Sequence, residues 1–395
     1  MILAVVFYAN PDGYPPTIHA IELLRSRFTV HLFCRNEGTP NYRWPSDVQV
    51  HRLGKSESME QKQTKSPLRK LLEYRAFVTV VRRELRTMHP SLVIAYEPHA
   101  LVAVSPIRGG MPPVIYHRHE IDDHDRLPHF SLQTWIYRYA LHLTRLASLV
   151  VFPERNRAEY YLGLAGDTRA PMIVPNVPLR RSFPLTTDIV SMIDARWSAP
   201  VLIYRGRVSE PNGIVGPVSA LPLLPSGIML RLVGAVSDTF RSQLMSIASE
   251  LCVDERIVIE GYLPNTEADQ ATMEASCGFA LQHPVSRNWT YLASASNKIF
   301  EYAACGVPVI VPDRESYREY FAGESWVHYA EPSDAVSIAV AVKSVFSDRT
   351  AYMSKCKAAR SSFENRFNYE NVFQPVLDRI DEMTKPASTS LDYHR

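Results

Sequence analysis

Short apolar runs alternate with helix-like segments through the first half of the chain. The runs are Ile2 to Tyr8, Val30 to Cys34, Leu92 to Tyr96, Val114 to His117, Leu149 to Phe152 and Ile173 to Val174. Continuous apolar strands separated by helices are typical of a doubly wound parallel sheet, which is covered on both faces. We therefore predict a Rossmann-like α/β domain over residues 1–180. Its first loop, Asn10 to Pro16, follows the first strand, at the sheet edge where such folds bind ligands.

The same alternation starts again in the second half. The apolar runs there are Val201 to Tyr204, Met229 to Val233, Ile257 to Glu260, Gly278 to Gln282, Val307 to Val311 and Trp326 to Tyr329. They predict a second Rossmann-like domain over residues 181–368. The segment Leu179 to Pro200 lacks a strand pattern and is predicted to connect the domains. Residues 369–384 are predicted to form a helix, and residues 385–395 a disordered tail.

Length and composition agree with two folded domains. The chain has 395 residues, of which 46% are hydrophobic and 21% are charged, as is typical of folded soluble proteins. Its five cysteines include no CxxC pair, so neither a disulfide framework nor a zinc site is indicated, and a cytoplasmic location is predicted. No apolar run approaches the roughly eighteen residues of a membrane span. The apolar start of the chain lacks the basic residues of a signal peptide.

Charge is distributed unevenly along the chain. Residues 1–180 contain 23 Lys+Arg and 16 Asp+Glu, against 20 and 25 in the remainder, so an anionic acceptor would favour the first half. The segment Lys62 to Arg86 has eight basic and two acidic residues, with apolar residues at helical spacing. Such a helix either packs its apolar stripe on the sheet or rests on anionic lipid at the inner face of a membrane. Nothing in the sequence resembles a nucleic-acid-binding module.

The segment Ser294 to Val311 predicts a short helix followed at once by a buried strand. Ser294 or Ser296 is the expected N-cap, and Gly306 is the expected stop because glycine tolerates the left-handed conformation. The free N–H groups of the first turn favour an anion, and Glu301, one turn further on, can accept hydrogen bonds from a ribose diol. The same pattern is also an ordinary connection of α/β folds.

This segment resembles the donor-nucleotide signature of GT-B glycosyltransferases, and most closely that of the retaining family 4. The residues that match are Asn297, Lys298, Glu301, Tyr302, Gly306 and Pro308. The resemblance implies a GT-B fold of two facing Rossmann-like domains with a cleft between them, and a helix at 369–384 that crosses back to the first domain. It also implies transfer from a UDP- or GDP-sugar to a hydroxyl acceptor, with retention and without an essential metal or other cofactor. Ser296, Asn297 and Glu301 would then bind the nucleotide.

A second loop, Tyr204 to Gly213, resembles the family's "GR…KG" loop on the donor diphosphate. Arg207 matches the arginine, but Asn212 stands at the lysine position, which removes one positive charge. Arg205 or Lys298 is predicted to supply that charge, and the alternative is that both are surface residues. Arginine suits a diphosphate because it can hold two oxygens at once.

The expected contacts with the sugar and the base depart from the family pattern at one position. The first of the family's usual two glutamates falls on Ala293. Sugar recognition is therefore assigned to the preceding loop, through Asn288, Trp289 and Tyr291. The base is expected near Tyr262, in a turn that resembles the family's "GxxP" turn, although Tyr262 can equally serve in packing.

In the first domain, His119 and Glu120 follow a strand and resemble the family's "HE" pattern. His119 is predicted to contact the donor sugar and Glu120 the substrate, and Gly13 would let the first loop approach the phosphates. A retaining reaction needs no protein base; for an inverting one the candidates are His19, Asp12 and Glu120. The acidic residues around Glu120 can either bind a metal or form a solvated loop, and the resemblance favours the loop.

Two rival functions share the predicted fold. A sugar-nucleotide epimerase would consume donor with no acceptor present. A non-catalytic partner subunit would explain why Asn212 and Ala293 replace charged residues of the family pattern. The acceptor of a transferase, whether a glycan, a lipid-linked glycan or a small molecule, is left open by the sequence.

Overall fold

The protein, in a computed structural model, forms two compact units. The structure describes residues 1–38, 42–58, 61, 64–105, 112–183 and 189–385. The first unit contains Met1–Val174 together with the chain from Val372 onward, and the second contains Pro175–Asn371. Nearly all of the predicted disordered tail, residues 386–395, lies outside the described residues.

The first unit is built on a seven-stranded parallel sheet with the order β3-β2-β1-β4-β5-β6-β7. Its first strand in sequence is an inner strand and pairs Val5 with Leu32 on one side and with Ile94 on the other. The predicted doubly wound sheet is therefore confirmed. The strands are β1 (Ile2–Phe7), β2 (Thr29–Glu37), β3 (Val48–Glu57), β4 (Leu92–Tyr96), β5 (Val114–His117), β6 (Leu149–Phe152) and β7 (Met172–Ile173).

Strand β3 was not predicted from the sequence. It lies at the edge of the sheet, where one side of the strand has no neighbour. Most of its residues are partly or fully exposed, and Gln49, Arg52 and Lys55 interrupt its apolar positions. An edge strand of this composition lacks the continuous apolar run that identified the central strands.

Helices connect the strands of the first unit. Pro15 and Pro16 begin α1, at positions where a helix does not use the N–H group that proline lacks. Ser66 caps α2 by accepting from the N–H of Arg69. The helices are α1 (Pro15–Leu24), α2 (Pro67–Met88), α3 (Glu97–Val104), α4 (Leu132–Thr144) and α5 (Arg155–Ala165).

The second unit is built on a six-stranded parallel sheet with the order β10-β9-β8-β11-β12-β13. This confirms the second Rossmann-like sheet. The strands are β8 (Val201–Arg205), β9 (Met229–Val233), β10 (Ile257–Gly261), β11 (Cys277–Phe279), β12 (Val309–Pro312) and β13 (Val327–Ala330). The core between sheet and helices includes Leu202, Leu230, Leu232 and Val342, which are fully buried.

Nine helices surround or follow this sheet in the described part of the second unit. They are α6 (Ile189–Ser198), α7 (Val215–Ala220), α8 (Asp238–Glu250), α9 (Asn265–Glu274), α10 (Arg287–Thr290), α11 (Asn297–Ala304), α12 (Glu315–Tyr320), α13 (Ala335–Val345) and α14 (Arg349–Asn365). The last helix, α15 (Tyr369–Thr384), is counted with the first unit from Val372 onward, and its Asp381 pairs with Arg27 at 2.8 Å. Over the residues described, no helix is long and apolar enough to cross a membrane.

Candidate functional site

Helix α11 and the strand after it have the geometry that the sequence predicted. Ser296 is the N-cap residue, Cys305 ends the helix, and Gly306 follows with φ +62° before β12. The hydroxyl of Ser296 makes no capping hydrogen bond to the first turn within the described residues. The N–H groups at the start of α11 therefore have no side-chain acceptor from their cap residue. An anion site at a helix N-terminus requires N–H groups that no capping side chain occupies.

Lys298 lies in that first turn and is held by two contacts. Its Nζ lies 5.0 Å from the centre of the Tyr204 ring. With the Gln282 amide turned so that both of its atoms are satisfied, the amide oxygen accepts a hydrogen bond from Nζ at 2.8 Å. Burial disfavours the ammonium and lowers the pKa of Lys298 to about 8, although the charge of Glu301 raises it. A cation in these surroundings gains from an anionic ligand, because burial has already removed much of its hydration.

Glu301 pairs with a buried arginine. The Nε of Arg205 lies 3.3 Å from Oε2 of Glu301, and its Nη1 lies 2.5 Å from Oδ1 of Asp269. Burial lowers the pKa of Arg205, but the two carboxylates outweigh burial and raise it. Arg205 therefore neutralises Glu301 in the protein without ligand, and one Glu301 oxygen is left outside this pair.

Tyr302 fixes this helix to the sheet. Its hydroxyl accepts the backbone N–H of Arg205 at 2.9 Å and donates to the carbonyl of Phe279 at 3.2 Å. A Cβ at Gly278 would lie 2.5 Å from the Tyr302 ring, so glycine is needed there for the ring to pack on β11. These contacts set the positions of Lys298 and Glu301 relative to the strand ends.

The loop after β8 approaches the same helix. Gly206 has φ +127°, and a Cβ there would lie 3.4 Å from Cε of Lys298. A Cβ at Gly234 would lie 1.8 Å from the carbonyl oxygen of Gly206, so glycine is required at both positions. Asn212, at the family's lysine position, is buried and donates to the Ser209 hydroxyl at 2.8 Å. It stabilises the loop from inside, and its side chain is not free for a ligand.

The structure brings Arg205, Ser296, Lys298 and Glu301 together, whereas Arg207 makes no contact with them. Arg207 is exposed, and its guanidinium has no hydrogen bond or ion pair with any described residue. Its carbonyl accepts a hydrogen bond from the Tyr204 hydroxyl at 3.0 Å. The side chain is thus available for a ligand but is not held in place for one.

The residues assigned to the sugar and the base lie on two loops of the second unit, after β11 and after β10. Asn288 and Trp289 are part of the short helix α10, Tyr291 follows it, and all three are half-buried. The Ser286 hydroxyl caps this helix by accepting from the N–H of Trp289 at 3.4 Å. Tyr262 is 72% exposed, in the turn that joins β10 to α9. A ring so exposed contributes little to packing, which favours the ligand interpretation over the packing one.

In the first unit, His119 is buried at the end of β5. Its Nε2 lies 3.2 Å from Oγ1 of Thr17, and its ring stacks on Tyr96 with centroids 5.2 Å apart. Its Nδ1 is buried and has no hydrogen-bond partner among the described residues. Burial, with a smaller effect from Arg157, lowers the pKa of His119 to about 3. The ring is therefore neutral at physiological pH and can serve as a hydrogen-bonding group but not as a cation.

Glu97 is the functional candidate that sequence reasoning missed. It is the first residue of α3, directly after β4, and has φ +67°, a conformation that non-glycine residues rarely adopt. Its carboxylate accepts the backbone N–H of His119 at 2.7 Å and that of Glu120 at 3.3 Å, and it pairs with Arg118 at 3.2 Å. Burial raises the pKa of Glu97 to about 7, with Arg118 opposing. The signal available in the sequence was an acidic residue at the carboxyl end of a predicted strand.

The other candidate residues of the first unit are exposed, half-buried or engaged in a contact within the domain. Glu120 is exposed, and Gly13 is an exposed residue of the short 3-10 turn Pro11–Gly13, with nothing within 4 Å of a Cβ built on it. Asp12 is buried and pairs with Arg52 at 2.8 Å, so its carboxylate is engaged within the domain. His19 is half-buried on α1.

The predicted basic helix is present as α2. Tyr74, Phe77, Val81 and Leu85 form its buried stripe, which agrees with packing on the rest of the unit. At its N-terminal end Leu68 is 66% exposed and Leu72 is 54% exposed. Lys62 lies outside the described residues.

Comparison with known proteins agrees with this geometry. Residues 226–378 match the family model described as glycosyl transferase-like. The fold is similar to HepE from Anabaena in complex with UDP, with a TM-score of 0.70 and 17% identity over 97% of this chain and 100% of that one. It is also similar to sucrose-phosphate synthase from Thermosynechococcus elongatus, with a TM-score of 0.72 and 16% identity over 97% and 99% of the two chains. No curated protein matches the chain by sequence.

A glycosyltransferase from Rickettsia africae is similar as well, with a TM-score of 0.75 and 14% identity over 98% of this chain and 99% of that one. At such low identities these likenesses establish the fold, which is that of the GT-B glycosyltransferases. The family model and the fold together support a transferase enzyme.

Proposed function

We propose, from the premise that this chain has the GT-B fold and contains a glycosyl transferase-like region, that it transfers a sugar from a nucleotide-diphosphate sugar to a hydroxyl acceptor. The observation that carries the proposal is the start of α11. There a half-buried lysine and a carboxylate one turn further on share one helix end whose cap residue makes no side-chain hydrogen bond within the described residues. That HepE was crystallised with UDP supports a UDP-sugar as donor, with a GDP-sugar as the alternative.

The proposed donor contacts follow from the charged groups around the start of α11. The amides of Ser296 to Lys298 and the Lys298 ammonium bind the diphosphate, and Arg207 closes over it from the loop after β8. Glu301 accepts the ribose hydroxyls with the oxygen that Arg205 leaves outside its ion pair. Tyr262 lies against the base, and Asn288, Trp289 and Tyr291 bind the sugar. His119, neutral and buried, is assigned to the sugar from the first unit.

The proposed reaction retains anomeric configuration. The bond from the anomeric carbon to the leaving phosphate oxygen breaks, and a bond from the acceptor oxygen to that carbon forms. The acceptor proton passes to the leaving phosphate, so no protein base is required. Lys298 and the helix N–H groups stabilise the charge that develops on the diphosphate, and no essential metal is part of the proposal.

The acceptor is proposed to bind the first unit and to be a glycan, a lipid-linked glycan or a small molecule of glycoconjugate synthesis. Peripheral contact with a membrane through the segment from Lys62 to Arg86 belongs to this proposal. The exposed Leu68 and Leu72, next to Arg69 and Lys70, support it.

A second candidate function is that of a non-catalytic partner subunit. The observation that favours it is Asn212, whose buried side chain stabilises the loop where the family places a lysine. Such a subunit would keep the fold without turning over donor.

Calorimetry and product analysis separate these functions. UDP and GDP are titrated into the protein, and labelled UDP-glucose and GDP-mannose are then incubated with it, with and without a library of glycan acceptors. We expect one nucleotide to bind and sugar transfer to occur only with acceptor. Nucleotide binding without transfer to any acceptor would favour the partner subunit. Isomerised donor in the absence of acceptor would show an epimerase, and no nucleotide binding would contradict the proposed site.

A further inference from the structure

An aromatic and cationic surface lies on the first unit, at α4 and the residues just before it. Phe130 is 101% exposed and Trp135 is 57% exposed. Arg138 and His142 are exposed on the same face of α4, one and two turns beyond Trp135. We name these four residues the Phe130–Trp135 patch.

The local structure holds these side chains outward. The Ser131 hydroxyl caps α4 by accepting the N–H of Thr134 at 3.1 Å, and the Thr134 hydroxyl donates to the carbonyl of Pro128 at 2.6 Å. The opposite face of α4, with Ile136, Tyr137 and Ala140, is buried in the unit. Trp135 stacks on Tyr139 with centroids 5.5 Å apart, so its ring lies flat along the helix surface. The outward position of the patch is thus fixed by the fold.

The chain segment that carries the patch is basic, and acidic residues flank it at Asp122, Asp123, Asp125 and Glu154. From Arg126 to Pro153 the chain contains three arginines and two histidines but no Asp or Glu. Arg138 has no hydrogen bond or ion pair with any described residue. A surface that combines exposed rings with unneutralised arginine is suited to anionic partners.

A second apolar and basic surface occurs at the same edge of the unit. Helices that follow parallel strands begin at the carboxyl edge of the sheet, and both α2 and α4 do so. Near that edge α2 exposes Leu68 and Leu72 beside Arg69 and Lys70. Helix α3 packs against both α2 and α4, which separates the two by about 20 Å at the usual spacing of packed helices. A broad flat partner can contact both surfaces at once.

We propose that the Phe130–Trp135 patch docks this protein on a membrane surface that contains anionic lipid. Phe130 and Trp135 enter the headgroup region, where aromatic side chains are favoured. Arg138 contacts the lipid phosphates, and the start of α2 provides the second contact. This inference rests on the membrane contact that the proposed function includes and adds a second surface to it; it does not depend on which nucleotide or acceptor is used.

Co-sedimentation with vesicles tests the proposal. The full chain is mixed with vesicles of phosphatidylcholine alone and of phosphatidylcholine with phosphatidylglycerol, at low and at physiological salt. We expect sedimentation with the anionic vesicles only, decreasing with salt. The double variant Phe130→Ser/Trp135→Ser should lower the partition coefficient on the order of tenfold, and Arg138→Glu by about tenfold. The control Val336→Ser/Val340→Ser, which changes two exposed residues of α13, should leave it unchanged.

Two results would overturn the proposal. One is that the unaltered protein fails to sediment with anionic vesicles, or does so equally with neutral ones. The other is that the Phe130/Trp135 variant sediments as well as the control. If light scattering shows that the unaltered protein is a dimer and this variant a monomer, with no vesicle binding by either, the patch is a protein interface and the membrane proposal is wrong. Circular dichroism melts of every variant verify that the fold is retained.

Discussion

Each unit has a candidate residue near a strand end, Lys298 in the second and His119 in the first, and burial leaves only Lys298 charged at neutral pH. In the second unit, Lys298, Arg205 and Glu301 are ionisable groups of both signs around a helix N-terminus. In the first, His119 is held neutral by burial and stacked on Tyr96. The charged arrangement suits an anionic ligand such as a diphosphate, whereas a neutral, buried histidine suits a hydrogen-bonding group without charge. One fold, used twice in the chain, therefore offers two binding environments of different polarity.

The largest expected effect comes from removing the cation of the second unit. Lys298→Ala should lower the affinity for nucleoside diphosphate by about 10- to 100-fold, because a charged hydrogen bond in a desolvated place is lost. Calorimetric titration measures it. Lys343→Ala, an exposed lysine of α13, is the matched control and should bind normally. Equal affinity in all three proteins would remove Lys298 from the site.

The corresponding change in the first unit should affect stability instead of nucleotide affinity. Glu97→Ala removes the acceptor of the His119 and Glu120 N–H groups and one partner of the buried Arg118, and we expect a loss of about 2 kcal/mol in the free energy of unfolding. Urea denaturation at pH 5 measures it, because at that pH the raised pKa of Glu97 favours the folded protein. Glu120→Ala, the exposed neighbour, is the control. Should Glu97→Ala weaken nucleotide binding with stability intact, the difference drawn between the units would be wrong.

Stability should also respond to pH through Glu97. Its folded-state pKa is raised from 4.5 to about 7, so the folded protein holds more protons than the unfolded chain between these values. This group's contribution to stability therefore falls as pH rises from about 4.5 to 7. Denaturation curves of Glu97→Gln across that range should lack this decrease. The same slope in both proteins would mean that Glu97 ionises normally.

Nucleotide affinity should depend on pH through Lys298. Because burial lowers its pKa to about 8 and a diphosphate favours the charged form, affinity should fall as pH rises from 7 to 9, by up to about tenfold. Titrations at several pH values test this. Lys298→Arg keeps its charge throughout, so its affinity should stay level; a parallel decrease in this variant would assign the effect to another group.

The smallest effect is expected at Arg207. Its exposed side chain gains a diphosphate contact only on binding, so Arg207→Ala should reduce affinity by about fivefold. Arg241→Ala, a half-buried arginine of α8, serves as the control for a general loss of positive charge. If Arg207→Ala reduced affinity as much as Lys298→Ala, the loop after β8 would already hold Arg207 in its ligand-binding position before the nucleotide binds.

Much of the second-unit site could be predicted because its signals are local. Ser296, Gly306 and the apolar run after them lie within one short segment, and the structure confirms the helix, its glycine stop and the strand. The pairing of Arg205 with Glu301 and Asp269 could not be predicted, since it depends on β8 lying beside β11 and on the packing of α9 and α11. The buried role of Asn212 is equally a matter of tertiary packing.

The first unit was harder to predict for similar reasons. Glu97 contacts His119 only because β4 and β5 are neighbours. The positive φ of Glu97 cannot be predicted from the sequence. Strand β3 escaped prediction because an edge position permits polar residues. The Phe130–Trp135 patch looks in sequence like any amphipathic segment, and only side-chain exposure identifies it.

The most direct test of the account is a crystal structure of the protein with a bound nucleoside diphosphate. We expect the backbone N–H groups of Asn297 and Lys298 to donate to the diphosphate and the Lys298 ammonium to contact a phosphate oxygen. We expect the ribose hydroxyls to donate to the Glu301 carboxylate. Nucleotide bound at another place, with Arg205 and Lys298 contacting only protein groups, would contradict it.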